Sequence, residues 1–202
     1  MLGIVTGCTT QADYERWLTD NGLPYRLVDE DTDIAGISAM LFCGGPDWGE
    51  NLLRDRREQC VFEKCMKAGI ALWGGCRGMQ VVAHLLGAEL VQDLGEKNLV
   101  HRATELGVSR WHQIVLSNGL RWQVNSRHHQ AVRDIPFHCR LIGRADDGTL
   151  ELLLSEDNRF LLVQSHPERE EMIGSEIEKH SIAWLHSKLN NFSQRLCQSF
   201  RA

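Results

Sequence analysis

Along this chain, short apolar runs alternate with longer stretches in which apolar residues return every three or four positions. That order predicts strands and amphipathic helices taking turns in a doubly wound α/β domain. Leu2 to Thr6 reads as a strand. Thr9 or Thr10 can cap a helix that carries Tyr14, Trp17 and Leu18 at helical spacing and stops near Asn21-Gly22. Ala39 to Cys43 is a second strand and runs into Gly44-Gly45-Pro46-Asp47. Residues 56 to 68 place Val61, Phe62, Cys65 and Met66 on one helical face, which Gly69 ends. Ile70 to Trp73 is apolar on both faces, as a central parallel strand must be. It leads straight into Gly74-Gly75-Cys76-Arg77-Gly78, after which Val81, Val82, Leu85 and Leu86 keep helical period up to Gly87.

From about residue 88 to 165 the pattern changes to strands without long helices, at 112–116, 122–125, 139–145, 150–155 and 159–165. Asp146-Asp147-Gly148 and Glu156-Asp157-Asn158 lie between three of them as turns, which predicts a mixed or antiparallel extension of the same sheet. A last helix, about 168 to 189, presents Ile173, Ile177, Ile182, Trp184, Leu185 and Leu189. With no repeat, low-complexity tract or linker, residues 1–190 read as one domain and 191–202 as a polar tail.

Charge narrows the class. The net charge of −5 is spread without a basic block, so no nucleic-acid or membrane arm is expected. The opening Met-Leu-Gly-Ile-Val-Thr lacks the basic and apolar regions of a secretory signal, and a cytoplasmic location is expected. Seven cysteines with no CxxC pair predict reduced thiols rather than a disulfide framework or a zinc knuckle. No histidine pair stands on a strong ligand spacing such as HExxH, and His101, His112, His128 and His129 read as surface or pocket residues. No glycine-rich nucleotide loop is present, and neither metal nor cofactor is expected.

The candidate chemistry begins at Cys76. A Gly-x-Cys-x-Gly turn between a buried strand and a helix is a cysteine form of the nucleophile elbow. Such a turn thrusts the side chain out at the carboxyl edge of the sheet, and flanking glycines are needed where a Cβ would collide with neighbouring backbone. At a helix N-terminus a thiolate is favoured, and the backbone N–H of Arg77 is placed to meet a developing oxyanion. Taken alone, the same five residues read equally well as a tight packing turn. Far along the chain, Gln164-Ser165-His166-Pro167-Glu168 follows an apolar strand. Residues two apart on an extended segment face the same way, so His166 and Glu168 can align as base and orienter for the sulfur. Taken alone, these two read better as a strand cap and a first-turn helix acid.

Together, Gly74-Gly75-Cys76-Arg77-Gly78-Met79-Gln80 and Gln164-Ser165-His166-Pro167-Glu168 resemble the class I glutamine amidotransferase family. Val124-Asn125-Ser126-Arg127-His128-His129-Gln130, Gly44-Gly45-Pro46-Asp47 and Arg54-Asp55-Arg56-Arg57-Glu58 are similar to segments of its γ-glutamyl-γ-aminobutyrate hydrolase branch, the peptidase C26-like γ-glutamyl hydrolases. The resemblance runs from about residue 40 to 170. It implies a flavodoxin-like, mostly parallel sheet flanked by helices, and hydrolysis of a γ-glutamyl amide through a thioester. It further implies Cys76 as nucleophile, His166 as base and Glu168 as its orienter. Backbone N–H groups of Gly45 and Arg77 would form the oxyanion hole, and Gln80, Asn125, Ser126, Arg127, His128 and His129 would line the glutamyl pocket. Asp47 and Asp55 would shape the site as loop residues. Gly75 stands where the family carries an apolar residue, Met79 where it carries leucine or histidine, and Ser165 where it carries tryptophan. The changes at Gly75 and Ser165 bear on the pocket wall and hence on the leaving group.

Three functions follow. The first is a free-standing hydrolase releasing glutamate and a small amine, or a larger amidate such as one carried on a nucleotide. The second is a glutaminase subunit that hands ammonia to a separate synthase. The third is an inactive relative kept as a binding module, which the presence of Cys76, His166 and Glu168 argues against.

Overall fold

The computed structural model describes residues 1–105 and 108–199. In chain order the elements are β1 (Leu2–Val5), α1 (Gln11–Asp20), β2 (Tyr25–Val28), β3 (Ala39–Phe42), α2 (Leu52–Ala68), β4 (Ala71–Gly75) and α3 (Arg77–Leu85). After them come β5 (Leu90–Val91), α4 (Asn98–His101), β6 (Arg110–Leu116), β7 (Arg121–Ser126), β8 (Ala131–Val132), β9 (Cys139–Ala145), β10 (Leu150–Ser155), β11 (Phe160–Val163) and α5 (Glu176–Ser199).

Nine strands form one sheet in the order β2-β1-β3-β4-β11-β10-β9-β6-β7. The pairs from β2 to β11 are parallel, and those from β11 through β10, β9 and β6 to β7 are antiparallel. The period of two along each central strand divides the core between the two faces. Leu41, Trp73, Leu161 and Val163 join one apolar cluster with Tyr14 and Trp17 of α1 and Trp184 and Leu185 of α5. Met40, Phe42, Leu72 and Leu162 join the other with Val61 and Phe62 of α2 and Val81 and Val82 of α3. Burial on both faces explains why these strands carry almost no polar residues.

Several boundaries differ from the sequence expectation. The apolar pattern does not predict β2; its Tyr-Arg-Leu-Val is only partly buried at the sheet edge, so it lacks the apolar run that marks its neighbours. The last helix begins at Glu176 rather than near 168, because a 3₁₀ turn at Glu170–Met172 and Gly174 at φ 79° intervene. Ser175 Oγ accepts from the Glu178 N–H and starts the helix, while Ile173, expected on its buried face, is 72% exposed. α5 continues to Ser199, so the polar stretch after 190 carries on the helix; residues 200–202 lie outside the described residues. Among the described residues no helix is long and apolar enough to cross a membrane.

Candidate active site

The carboxyl ends of β3, β4 and β11 lie side by side, which is where an open α/β sheet presents its ligand crevice. β4 ends at Gly75 and α3 begins at Arg77, leaving Cys76 alone between them at φ 49°, ψ −111°. A non-glycine residue in that region costs about 1–3 kcal/mol, so the surrounding structure must impose it. Two close contacts do so. A Cβ on Gly74 would lie 2.7 Å from the Gly78 carbonyl, and one on Gly78 would overlap the Phe42 carbonyl. The Cys76 N–H donates to Val163 O at 2.8 Å, tying the turn to the neighbouring strand. The first amides of α3 have no partner within the helix.

Gly75, where a family-like chain would carry an apolar side chain, is accounted for by its own strand. A Cβ there would come within 2.6 Å of the Trp73 ring and 3.0 Å of the Tyr14 hydroxyl. That space is therefore core, filled by Trp73, rather than pocket wall. Ser165 is likewise buried.

β11 pairs Val163 with Gly75, so the segment after β11 emerges beside Cys76. His166 lies over Gly44, with its Nδ1 2.7 Å from Glu168 Oε1 and its ring near enough to Cys76 for the two charges to couple. Since a carboxylate only accepts, the Nδ1 proton is assigned to that bond and Nε2 to the sulfur. All three side chains are buried. Burial alone would push the His166 imidazolium down, but the charges of Cys76 and Glu168 outweigh it and raise the pKa to about 10. Asn125 holds this segment from β7: its Oδ1 accepts from the His166 N–H at 2.8 Å, and its Nδ2 donates to His166 O and to Glu171 Oε1, both at 3.1 Å.

The opposite side of the sulfur is built by buried charge. Arg54 donates to Cys43 O at 3.0 Å and Gly44 O at 2.9 Å, while the Gly44 N–H donates to Tyr14 Oη at 3.0 Å. Gly45 follows at φ 141°, a conformation natural to glycine. Arg54 is paired to Glu58 at 3.0 Å, Arg77 to Asp55 at 2.6 Å, and Arg77 also to Glu58. Two arginines and two carboxylates thus neutralise one another between α2 and α3. The Arg77 side chain points into this network, leaving only its backbone N–H for the sulfur's surroundings. Asp55, expected in a loop, lies in the first turn of α2, where its Oδ2 accepts from the Gly49 N–H. Asp47 does sit in a loop and pairs with His129 at 2.8 Å.

The expected pocket residues separate into two groups. Burial and the neighbouring charge of Arg169 lower the Arg127 guanidinium from its ordinary range, with Glu171 and Cys76 opposing, and its Nη1 is buried without a hydrogen-bond partner. Gln80, Ser126 and His128 instead serve internal contacts. Gln80 Nε2 donates to Gln130 O and Gln164 Oε1, and Ser126 Oγ donates to His101 O at 2.8 Å. His128 hydrogen-bonds Gln130 O and turns toward Glu151. His101, His112 and His128, read from the sequence as surface or pocket residues, have side chains that are almost wholly buried around Glu151. His101, His112 and Glu151 are close enough to hold a metal ion together. The sequence reading misses Tyr14 and the Arg77 side chain as site elements, and it names Arg54 and Glu58 only within the segment that resembles the family, without a role.

Comparison with known proteins identifies the family and the fold. The Peptidase C26 family matches residues 49–168. The glutamine amidotransferase-like protein YvdE of Lactococcus lactis is 28% identical over 126 residues, covering 57% of this chain and 53% of its own. The glutamine-hydrolysing GMP synthase of Symbiobacterium thermophilum is 28% identical over 134 residues, 66% of this chain and 25% of the synthase. The chain thus spans about half the length of the first relative and a quarter of the second. Among solved structures, a GMP synthase-type protein from Thermoplasma acidophilum superposes with TM-score 0.70 at 18% identity, covering 98% of each chain. A glutamine amidotransferase from Thermotoga maritima superposes with TM-score 0.68 at 15% identity, covering 95% of this chain and 97% of its own. These two likenesses speak to the fold, which is that of the flavodoxin-like glutamine amidotransferases.

Proposed function

The chain belongs to the Peptidase C26 family within the class I glutamine amidotransferases, and from that premise we propose that it hydrolyses a γ-glutamyl amide through a glutamyl thioester on Cys76. The observation that carries this reading is the His166 ring hydrogen-bonded to Glu168 at 2.7 Å and electrostatically coupled to Cys76.

In this mechanism the Cys76 thiolate attacks the γ-carbonyl carbon, forming the C–S bond and moving the carbonyl electron pair onto oxygen. The N–H groups of Gly45 and Arg77 receive that oxyanion. His166, held protonated by its two partners, delivers its proton to the leaving nitrogen as the C–N bond breaks, and Glu168 keeps the ring oriented throughout. Water then attacks the thioester with His166 as base, releasing glutamate and restoring the thiolate. Arg127, with one buried donor unpartnered, is the group suited to the substrate's α-carboxylate.

A panel of γ-glutamyl amides tests the reading. Glutamate release from at least one of them is expected, with a glutamyl adduct on Cys76 seen by intact-mass spectrometry and absent in Cys76→Ala. No release and no adduct across the panel would remove it. A second reading, a glutaminase component working with a synthase, draws on the match to one quarter of a GMP synthase. Glutamine turnover that appears only when a synthase is added would favour it.

A further inference from the structure

Away from Cys76, the structure gathers three histidines around one buried carboxylate. His112 Nε2, His101 Nδ1 and His128 Nε2 lie 3.3, 3.4 and 3.6 Å from the same oxygen, Glu151 Oε1. The four residues come from β6, the end of α4, the segment after β7 and β10. From this geometry we propose that His101, His112, His128 and Glu151 form a zinc site that fastens the 98–101 and 126–130 segments to the antiparallel half of the sheet.

Three features support it. The first is spacing: nitrogen and oxygen ligands about 2.0–2.1 Å from a tetrahedral zinc stand about 3.3 Å from one another. The histidine-to-carboxylate separations match that edge, and the His101, His112 and Glu151 ligand atoms all fall within 4.8 Å of one another.

The second is the outer side of the rings. His101 Nε2 is 3.0 Å from Asp147 Oδ2, and His128 Nδ1 is 2.8 Å from Gln130 O. Both outer partners accept, so each outer nitrogen carries the proton and each inner one presents a lone pair. This is the arrangement that carboxylates and carbonyls impose on metal-bound imidazoles. His112 is the exception, its outer nitrogen having no hydrogen-bond partner among the described residues.

The third is the electrostatics of the interior. The inner lone pairs of His101 and His128, facing a carboxylate oxygen, repel it, and a cation among them reverses the sign of those contacts. Neither Glu151 oxygen nor the inner nitrogens of His101, His112 and His128 makes an aligned hydrogen bond, although all are buried. Buried polar atoms without partners are rare, and a bound ion is one of their ordinary causes. Ligands drawn from four segments and no open position describe a structural site rather than a catalytic one.

This site is independent of the hydrolase reading, because none of its ligands touches Cys76, His166 or Glu168. Elemental analysis of the full chain, expressed with zinc in the medium, should find about one zinc per chain. Exchange with Co²⁺ should give the visible bands of a four-coordinate ion. His112→Gln and Glu151→Gln should each lower zinc retained after desalting by at least ~10-fold, while Cys76→Ala keeps it. Where the variants do not fold, zinc transfer from the wild-type chain to a chromophoric chelator gives the same information, with one equivalent released and a fall in melting temperature. Less than a tenth of an equivalent before and after incubation with Zn²⁺ would overturn the site. So would cobalt bands that persist unchanged in both ligand variants.

Discussion

Two buried glutamates, Glu168 and Glu151, each face histidine, and the contrast between them separates the two centres of this molecule. Glu168 meets one ring at 2.7 Å, and the far side of that ring opens onto a sulfur in a strained turn. Glu151 meets three rings at 3.3–3.6 Å, and the far sides of two of them are closed by a carboxylate and a carbonyl. A short contact to one ring with a reactive partner beyond it suits a proton that must move. Longer contacts to several rings, with fixed tautomers behind them, suit a cation that must stay. Histidine beside glutamate therefore means little until the outer nitrogen has been followed to its partner.

The comparison predicts different responses to substitution. Cys76→Ala should lower amide hydrolysis by about 10⁴-fold or more, as loss of a covalent nucleophile does, with the metal content measured alongside and unchanged. Retained turnover would break the contrast at its first centre. Glu168→Gln should lower kcat by about 10²–10⁴-fold by removing the group that fixes the ring's tautomer. It should also move the alkaline limb of the pH profile. With His166 raised to about 10, activity is expected to persist through neutral pH and fall as pH climbs through that value. The variant should lose it at lower pH. The same elevation adds stability that is complete below the ordinary histidine range near ~6.5 and is lost as pH rises through about 10. Urea titrations at both ends of that window measure it.

Glu58→Gln addresses the buried charges that belong to neither centre. It strips a carboxylate from Arg54 and Arg77 together, and about 3–5 kcal/mol of stability should go with it, read from urea unfolding. A variant as stable as the parent would show that this network is dispensable. The smallest effect is expected at the joint between the centres. Asn125 grips the backbone of His166, while the next residue, Ser126, grips the carbonyl of His101. Asn125→Ala should cost about 1–3 kcal/mol and roughly tenfold in kcat, an effect of about 1.4 kcal/mol on the barrier, without changing zinc content. If zinc is lost too, the centres are coupled through this pair.

How much of this can be read from the chain varies with the length of the pattern. β1, β3, β4 and β11 are buried on both faces and announce themselves as unbroken apolar runs. The two-residue strands β5 and β8 are too short to carry any period, and the start of α2 hides because Leu52 and Leu53 are exposed while Asn51 caps it. The meeting of Cys76, His166 and Glu168 is legible because each sits in a compact motif next to a clear strand. The histidine cluster is not. Its residues lie at 101, 112, 128 and 151, and only a sheet whose strand order departs from chain order brings them together. Asn125 is expected in the pocket, but its partner is the main chain of His166, which no residue pattern could indicate.

Gly78 has a larger part than its size suggests. Its α-carbon rests against the carbonyl of Phe42, three residues before Gly45, so the first turn of α3 and the end of β3 touch with nothing between them. The width of the slot proposed to take the scissile carbonyl is gauged by the absence of one carbon atom. A methyl group there would act as a shim, widening the jaws while leaving every reactive group intact.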